Sequence, residues 1–375
     1  MMRGTSLVEA SRALLAGLLL SLLTSCQPKI APLTPEEAHA MSDMLKNTTP
    51  RCFGRYLVDL PESFVLNSEG AAEVDGVKLK VRAMPRLGFD SALEARRREL
   101  EMIMLPGDDK NRPHLRKSIA LPEGGIGVVF DRTEREVSSS RLGRTLELIA
   151  WRDGYRIDAS LNATDTSFPE DIGNSIAKQL RTDVPEKLTQ LLKVYQRTRG
   201  RTDNEVPKEQ GTCTQNGFVA GPPSDAESVT IFYHLKNTPD VFFAFKTNSS
   251  FREKTELLDR GKEINQALQG GDGRVLRKGR VKGPGIEHQE LLAEGRTVDR
   301  VIGHLFVAEA NSLEGSAMKP VVMIDQNNGY RIPAPEPGAS EDPLPDLKRA
   351  TLSEAQAVAI WDAVLPTLRP RPGAF

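Results

Sequence analysis

Apolar and polar residues alternate most clearly at Val77, Leu79, Val81 and Ala83, with Lys78, Lys80 and Arg82 between them. A period of two sends successive side chains to opposite faces, so this segment predicts a strand with one face buried and one in water. The same period returns at Val229, Ile231, Tyr233 and Leu235, with residues 241–245 as the partner strand. Other strands are expected over 53–60, 121–131, 145–151, 155–161, 218–220, 274–281, 287–294, 304–310 and 321–325. Asp153-Gly154 and Asn328-Gly329 are hairpin-turn signals. A period near four marks helices through Ile172, Ile176 and Leu180, and through Leu188, Leu191, Leu192 and Tyr195 behind Pro185. Helix starts carry capping signals: Thr34 before Pro35, Ser91 with Glu94, Ser167 with Pro169 and Glu170, Ser250 with Glu253, and Thr351 with Glu354. The helix from Ser91 should run to about Met104. The one from Ser250 should bury Leu257, Ile264 and Leu268. The last should bury Ala355, Val358, Trp361 and Val364 or Leu365.

The order of these elements repeats. A strand led by Cys52 opens one half, and a strand led by Cys213 opens the other about one domain length later. Each is followed by an alternating strand, a capped helix, several strands and another capped helix. Gly-Tyr-Arg-Ile occurs at Gly154 and again at Gly329. The expected class is α+β: two similar domains, each a mostly antiparallel sheet with helices packed on one side, forming a clamp. The expected divisions are a lipoprotein signal over 1–25, a lipid-anchored tether over 26–48, and domains over 49–198 and 211–371. A polar linker over 199–210, with almost no apolar mass, joins the two domains.

The leader changes the picture. Arg3 and Arg12 precede an apolar run over 13–23, too short to span a bilayer as a mature helix. It ends Leu23-Thr24-Ser25-Cys26, which resembles a bacterial lipobox; an ordinary secretory signal is the alternative. Processing would leave Cys26 as an acylated N-terminus holding the chain to the membrane. Gln27 after it points to the periplasmic face of the outer membrane. Of the chain's 3 cysteines, Cys52 and Cys213 then remain as an even pair in an oxidising compartment. They form either one disulfide or two buried thiols. The 50 basic and 51 acidic residues lack the basic surplus of a nucleic-acid binder.

A search for chemistry returns no catalytic, cofactor or metal site. His39, His114, His234, His288 and His304 are scattered without zinc-site spacing, and His234 falls in a strand pattern. Gly173-Asn174-Ser175 lies inside an expected helix, not on a nucleophile elbow. Gly124 to Gly127 and Gly270 to Gly273 are turns without the Lys-Ser/Thr of a phosphate loop. Asp325 to Gly329 is accounted for by a hairpin turn, not a calcium loop. The charged run from Glu94 to Glu99 is a solvated helix face. A two-domain chain without a reactive centre binds rather than catalyses. Its loops offer Asp108, Asp272, Arg274, Glu336 and Glu341 as interface candidates.

Several stretches carry a family resemblance. They are Cys-Phe-Gly-Arg-Tyr-Leu-Val-Asp-Leu-Pro at Cys52 to Pro61 and Cys-Thr-Gln-Asn-Gly-Phe-Val-Ala-Gly-Pro at Cys213 to Pro222. Asn-Gly-Tyr-Arg-Ile-Pro at Asn328 to Pro333 and the tail Leu-Arg-Pro-Arg-Pro-Gly-Ala-Phe at Leu368 to Phe375 complete the set. The chain resembles the two-domain immunity proteins cognate to the fourth class of type VI secretion phospholipase effectors. That resemblance implies a periplasmic clamp, monomeric when free. It would grip one partner protein, the cognate phospholipase, and block lipid from its catalytic site. An envelope lipoprotein with a scaffold or assembly role is the alternative, and an enzyme acting on lipid or cell wall the weakest reading.

Overall fold

The computed structural model describes residues 30–105, 113–136, 142–167, 179–270, 272–331 and 346–375. The first half runs α1 (Pro35–Leu45), β1 (Thr48–Phe53), β2 (Tyr56–Pro61), β3 (Phe64–Leu66), β4 (Ala71–Val74), β5 (Val77–Ala83) and α2 (Arg86–Met102). It continues as a meander, β6 (Leu115–Ala120), β7 (Ile126–Thr133), β8 (Gly143–Arg152) and β9 (Tyr155–Thr164), then α3 (Val184–Arg197) and β10 (Thr198–Gly200). The second half runs β11 (Gly211–Thr214), β12 (Gly217–Ala220), β13 (Glu227–Leu235), β14 (Thr238–Asn248), α4 (Gly261–Gln269) and β15 (Arg274–Gly283). It ends with β16 (Ile286–Arg296), β17 (Ile302–Ala310), β18 (Val321–Asn328), α5 (Glu354–Val364) and β19 (Arg369–Pro370).

The two halves share one antiparallel sheet, ordered β15-β16-β17-β18-β14-β13-β4-β5-β9-β8-β7-β6, with β3 also paired to β13. The seam is β13. One edge takes β14; the other takes β3 at Tyr233 to Leu235 and β4 at Glu227 to Thr230. The alternation of β13 places Val229, Ile231 and Tyr233 on the buried face beside Phe243 and Phe245. Helices α1, α3 and α5 cover that face, and their Met41, Leu191, Val194, Tyr195, Val358 and Trp361 join one core spanning both halves. At about 25 cal/mol per Å² of apolar surface, burial on this scale dominates the folding free energy.

Behind the seam lies a knot of two small sheets. The hairpin β1–β2 takes β19 as its third strand, and β11–β12 takes β10. Cys52 and Cys213 form a disulfide with Cα atoms 5.8 Å apart. Beside it, Gly54 and Cys213 exchange backbone hydrogen bonds of 2.9 and 2.7 Å. Three arginines fill the knot. Arg55 donates to both carboxylate oxygens of Glu227 at 3.1 and 2.9 Å and to carbonyls of Gly221, Pro222 and Ala374. Arg201 donates to carbonyls of Cys52, Thr214, Gly217 and Glu205. Arg371 donates to those of Pro207, Glu209 and Gly211. Burial pushes the Arg371 guanidinium down to about 10, still charged at neutral pH.

Several elements differ from expectation, each for a physical reason. The stretch from Cys52 is a hairpin, not one strand, because Gly54 takes a φ of +53° that glycine allows without strain. Residues 199–210 are not a loose linker: β10 and Arg201 bind them into the knot. The helix expected within the 26–48 tether is part of the folded body, since α1 packs on α5 and buries Met41. Helix α2 begins behind Pro85, and the Ser91 hydroxyl donates back to the Leu87 carbonyl inside the helix. Ser250 and Glu253 cap nothing; Glu256 and Asp259 form the capping box, and α4 starts only at Gly261. Ser353, not Thr351, caps α5, while Thr351 binds the Asp240 carboxylate. Asn328-Gly329 is no hairpin turn. Asn328 ends β18 with its amide buried against His304 and Leu352. Strands β3, β4, β6, β10 and β19 were not expected. The helix through Ile172 and Ile176, Ser175 and the loops over 106–112 and 332–345 lie outside the described residues.

Two outcomes follow. Cys52→Ser with Cys213→Ser should lower stability by about 3–5 kcal/mol, since the bridge closes a long loop. Solution scattering should stay unchanged because the shared sheet still joins the halves; thermal unfolding and small-angle scattering check both. Arg55→Ala leaves Glu227 charged, buried and unpaired, so it should cost about 3–5 kcal/mol in urea unfolding.

Candidate partner-binding face

The face of the sheet opposite the main core can be followed by register, because residues paired directly across antiparallel strands point the same way. From α2 the row reads Phe130, Glu147, Ser160, Lys78, Glu73, Ser228 and Asn248 across β7, β8, β9, β5, β4, β13 and β14. A parallel row reads Ala244, Asp325, Val307 and Leu291 across β14, β18, β17 and β16. Helix α2 covers one end, where Phe89 and Leu100 pack on Val128, Phe130 and Ile149. The 3-10 turn at Leu257–Arg260 and α4 cover the other, with Leu257, Ile264 and Leu268 against Leu291 and Ala293. Both helices therefore stand on the same face, and no helix among the described residues covers the strands between them.

That uncovered stretch is charged. A cavity of about 550 Å³ lies beside the seam on strands of the first half, lined among others by Glu73, Lys78, Lys80, Arg132, Glu147, Arg156 and Asp158, with Ser228 from β13 at its edge. Lys78 and Lys80 are exposed and make no ion pair among the described residues. Most neighbours are paired: Arg156 and Arg82 with Asp158 at 2.7 and 3.4 Å, and Lys246 with Asp325 at 2.5 Å. Glu147 receives Arg96 at 2.8 Å and Arg132 at 2.6 Å. Burial opposes its charge, but the two arginines more than offset this and hold its carboxyl below the usual range. Large apolar side chains stand exposed near both ends: Leu87, Met102 and Met104 on and after α2, and Leu305 and Val298 near α4. A charged floor is unlike the mostly apolar lining of a small-molecule site, and the exposed apolar side chains at its ends suit contact with a protein surface.

The interface residues expected from sequence are only partly placed. Asp108, Glu336 and Glu341 lie outside the described residues. Asp272 is exposed and meets Arg296 at 3.7 Å. Arg274 is committed internally, to Glu294 at 3.0 Å and to Glu354. Neither lies on the open stretch over the seam. Sequence reasoning singled out Lys78 and Lys80 only as the wet side of a strand; the register adds what lies beside them.

Titratable groups form no reactive centre among the described residues. His114, His288 and His304 are buried, and burial lowers the pKa of each, as it does for the half-buried His234. His39 sits exposed on α1 near Asp43. Glu294, His304 and Glu354 bring ligand atoms within 4.8 Å of one another. The Arg274 guanidinium, bound to both carboxylates, already supplies the positive charge there. The group is an ion-pair cluster rather than a metal centre.

A two-domain binding protein built on one sheet, with no assembled catalytic group among the described residues, is the class these features define. Residues 49–201 match the family model for the Tle cognate immunity protein 4 N-terminal domain, and residues 205–373 match that for its C-terminal domain. The chain belongs to the Tle cognate immunity protein 4 family, a family of immunity proteins and not of enzymes. Among solved structures, the apo immunity protein TplEi of the type VI secretion system (T6SS) from Pseudomonas aeruginosa aligns with TM-score 0.63 at 18% identity, covering 87% of this chain and 98% of that one. The Tle4-Tli4 complex aligns with TM-score 0.64 at 19% identity, covering 88% and 99%. TplEi complexed with an "L" peptide aligns with TM-score 0.56 at 18% identity, covering 87% and 98%. At these identities the likeness is one of fold. No curated protein sequence matches the chain.

The pairing of Glu147 with Arg96 fixes α2 to the sheet. Glu147→Gln should therefore cost about 1–3 kcal/mol and speed amide exchange in α2 more than in α3, read by hydrogen exchange.

Proposed function

We propose that this protein is a lipid-anchored periplasmic immunity protein that binds a cognate type VI secretion phospholipase and blocks lipid from its catalytic site. Family membership carries the reading, and a protein of this fold has been captured in the Tle4-Tli4 complex. The open face between α2 and α4 is the surface that fits it best. Because β13 ties the halves into one sheet, the grip is preformed rather than hinged. A preorganised face loses less conformational entropy on binding than two mobile jaws would. The lipobox at Cys26 and the Cys52–Cys213 bridge both suit an oxidising envelope compartment. Only residues 27–34 separate Cys26 from α1, so an acylated chain would keep the body near the membrane its partner attacks.

The test mixes the full chain with the phospholipase encoded beside it. A tight one-to-one complex and loss of lipase activity are expected. Lys78→Glu with Lys80→Glu should weaken binding by about tenfold or more, mostly through slower association at low salt. Binding without inhibition, or no binding, would overturn the reading; full affinity in the double variant would move the grip off this face. Cys26→Ala should abolish incorporation of labelled palmitate into the protein.

A further inference from the structure

The α4 end of the open face holds a second feature that recognition of a protein partner does not require. Between α4 and strands β16 to β18 lies a cavity of about 440 Å³. Leu257, Ile264, Leu268, Leu291, Leu305 and Val307 supply most of its wall. Leu257 and Leu291 are buried at its base, while Leu305 is 46% exposed and Val298 78% exposed. Its volume lies within the range of about 300–1,000 Å³ typical of small-molecule sites. The polar groups at its edge are already engaged: Glu294 is held by Arg274, and His304 by Asn328.

A basic mouth adjoins it. A neighbouring cavity of about 630 Å³ is lined by Arg296, Arg300, Lys348 and Arg349, with Asp299 and Asp346 as the acidic members. Arg296 and Val298 line both cavities. Asp299 is bound by Arg331 at 2.8 Å, and that contact, with burial opposing it, lowers its pKa. Among the described residues Arg300, Lys348 and Arg349 make no ion pair. Arg296 donates to the Arg300 carbonyl at 3.2 Å, and its one ion-pair partner among the described residues is the exposed Asp272, at 3.7 Å. An apolar slot that opens beside Arg300, Lys348 and Arg349, cations without an ion pair among the described residues, complements one kind of ligand: an apolar chain ending in an anion. Each methylene placed in such a slot contributes about 0.8 kcal/mol, and the cations add attraction for the head.

We propose that this slot binds a single-chain anionic amphiphile, with its acyl chain against Leu268, Leu291 and Leu305 and its head at Arg296 and Arg300. Fatty acids and lysophospholipids have this chemistry, and both are products of phospholipid hydrolysis. The assignment stands on the cavity alone and holds whether or not the phospholipase reading above is correct.

The experiment titrates palmitate, below its micellar concentration, into the full chain carrying Cys26→Ala and purified without detergent. Calorimetry should show one saturable site. Leu305→Glu, a change at a half-exposed position, should weaken binding at least tenfold and leave the urea midpoint unchanged. Arg296→Ala with Arg300→Ala should weaken palmitate several-fold while sparing neutral monopalmitoylglycerol. Lysophosphatidylglycerol and inorganic phosphate separate the sources of the anion: the first should bind, the second should not. Absence of saturable palmitate binding overturns the proposal, as does binding indifferent to Leu305→Glu, or phosphate binding as well as palmitate. If the slot excludes every amphiphile yet Leu305→Glu abolishes phospholipase binding, its occupant is a protein side chain and the proposal falls.

Discussion

The pairing of β13 on both edges is the constraint on which the rest of this structure depends. A strand with one partner leaves a row of backbone donors and acceptors open, and two half-sheets would each have such an edge at the middle of the molecule. Here β3 and β4 of the first half take the free edge of β13, and the two sheets become one. The bonds run past the strands themselves, from Lys236 to Ser63 at one end and from Asp75 to Ala226 at the other. One core then spans both halves, and neither can rotate without breaking main-chain bonds. The knot behind the seam holds the same joint from the other side. Its disulfide and the Arg55–Glu227 pair both cross from one half to the other, in low-dielectric surroundings where an unpaired charge is costly.

The outer ends of the sheet are handled differently. Strand β15 carries Arg277, Lys278, Arg280 and Lys282, and β6 carries Arg116 and Lys117. Cations on terminal strands discourage a further chain from pairing there. A long sheet therefore stays closed to edge-on growth while its middle remains open on one face. On the proposed function, recognition falls to side chains on that face and to the helices bordering it. This suits a protein that must meet one surface and ignore others.

Much of the fold was legible in the chain. The period of two in β5 and β13, the stripe of α3 and the inward residues of α5 follow directly from local pattern. The element order gave the two similar halves, and the leader and two cysteines gave a bridge between them as one of two readings. Helix starts were legible only where nothing competed for the cap. At Ser91 a proline upstream began the helix earlier, and at Thr351 a distant carboxylate, Asp240, took the hydroxyl. Arg55 and Arg371 stood out only as members of the family stretches, and Arg201 only as part of the polar linker. Their role as ligands of backbone carbonyls needs partners far away in sequence, and nothing in the local pattern announces it.

The site was less legible than the fold, for the same reason. Periodicity determines which side chains of a strand face water, so Lys78 and Lys80 were placed outward from sequence alone. It says nothing about which strand lies alongside, because pairing energy comes from main-chain groups that every residue carries. That β4 meets β13, and so sets Lys78, Glu73 and Ser228 in one row, was decided only in the tertiary structure. The same holds for two helices distant in sequence sharing a face, and for an apolar slot meeting a basic mouth. By itself the sequence determined the halves, their longer strands and the absence of a catalytic motif. Tertiary structure decided that the halves are one sheet, with one face left open between α2 and α4.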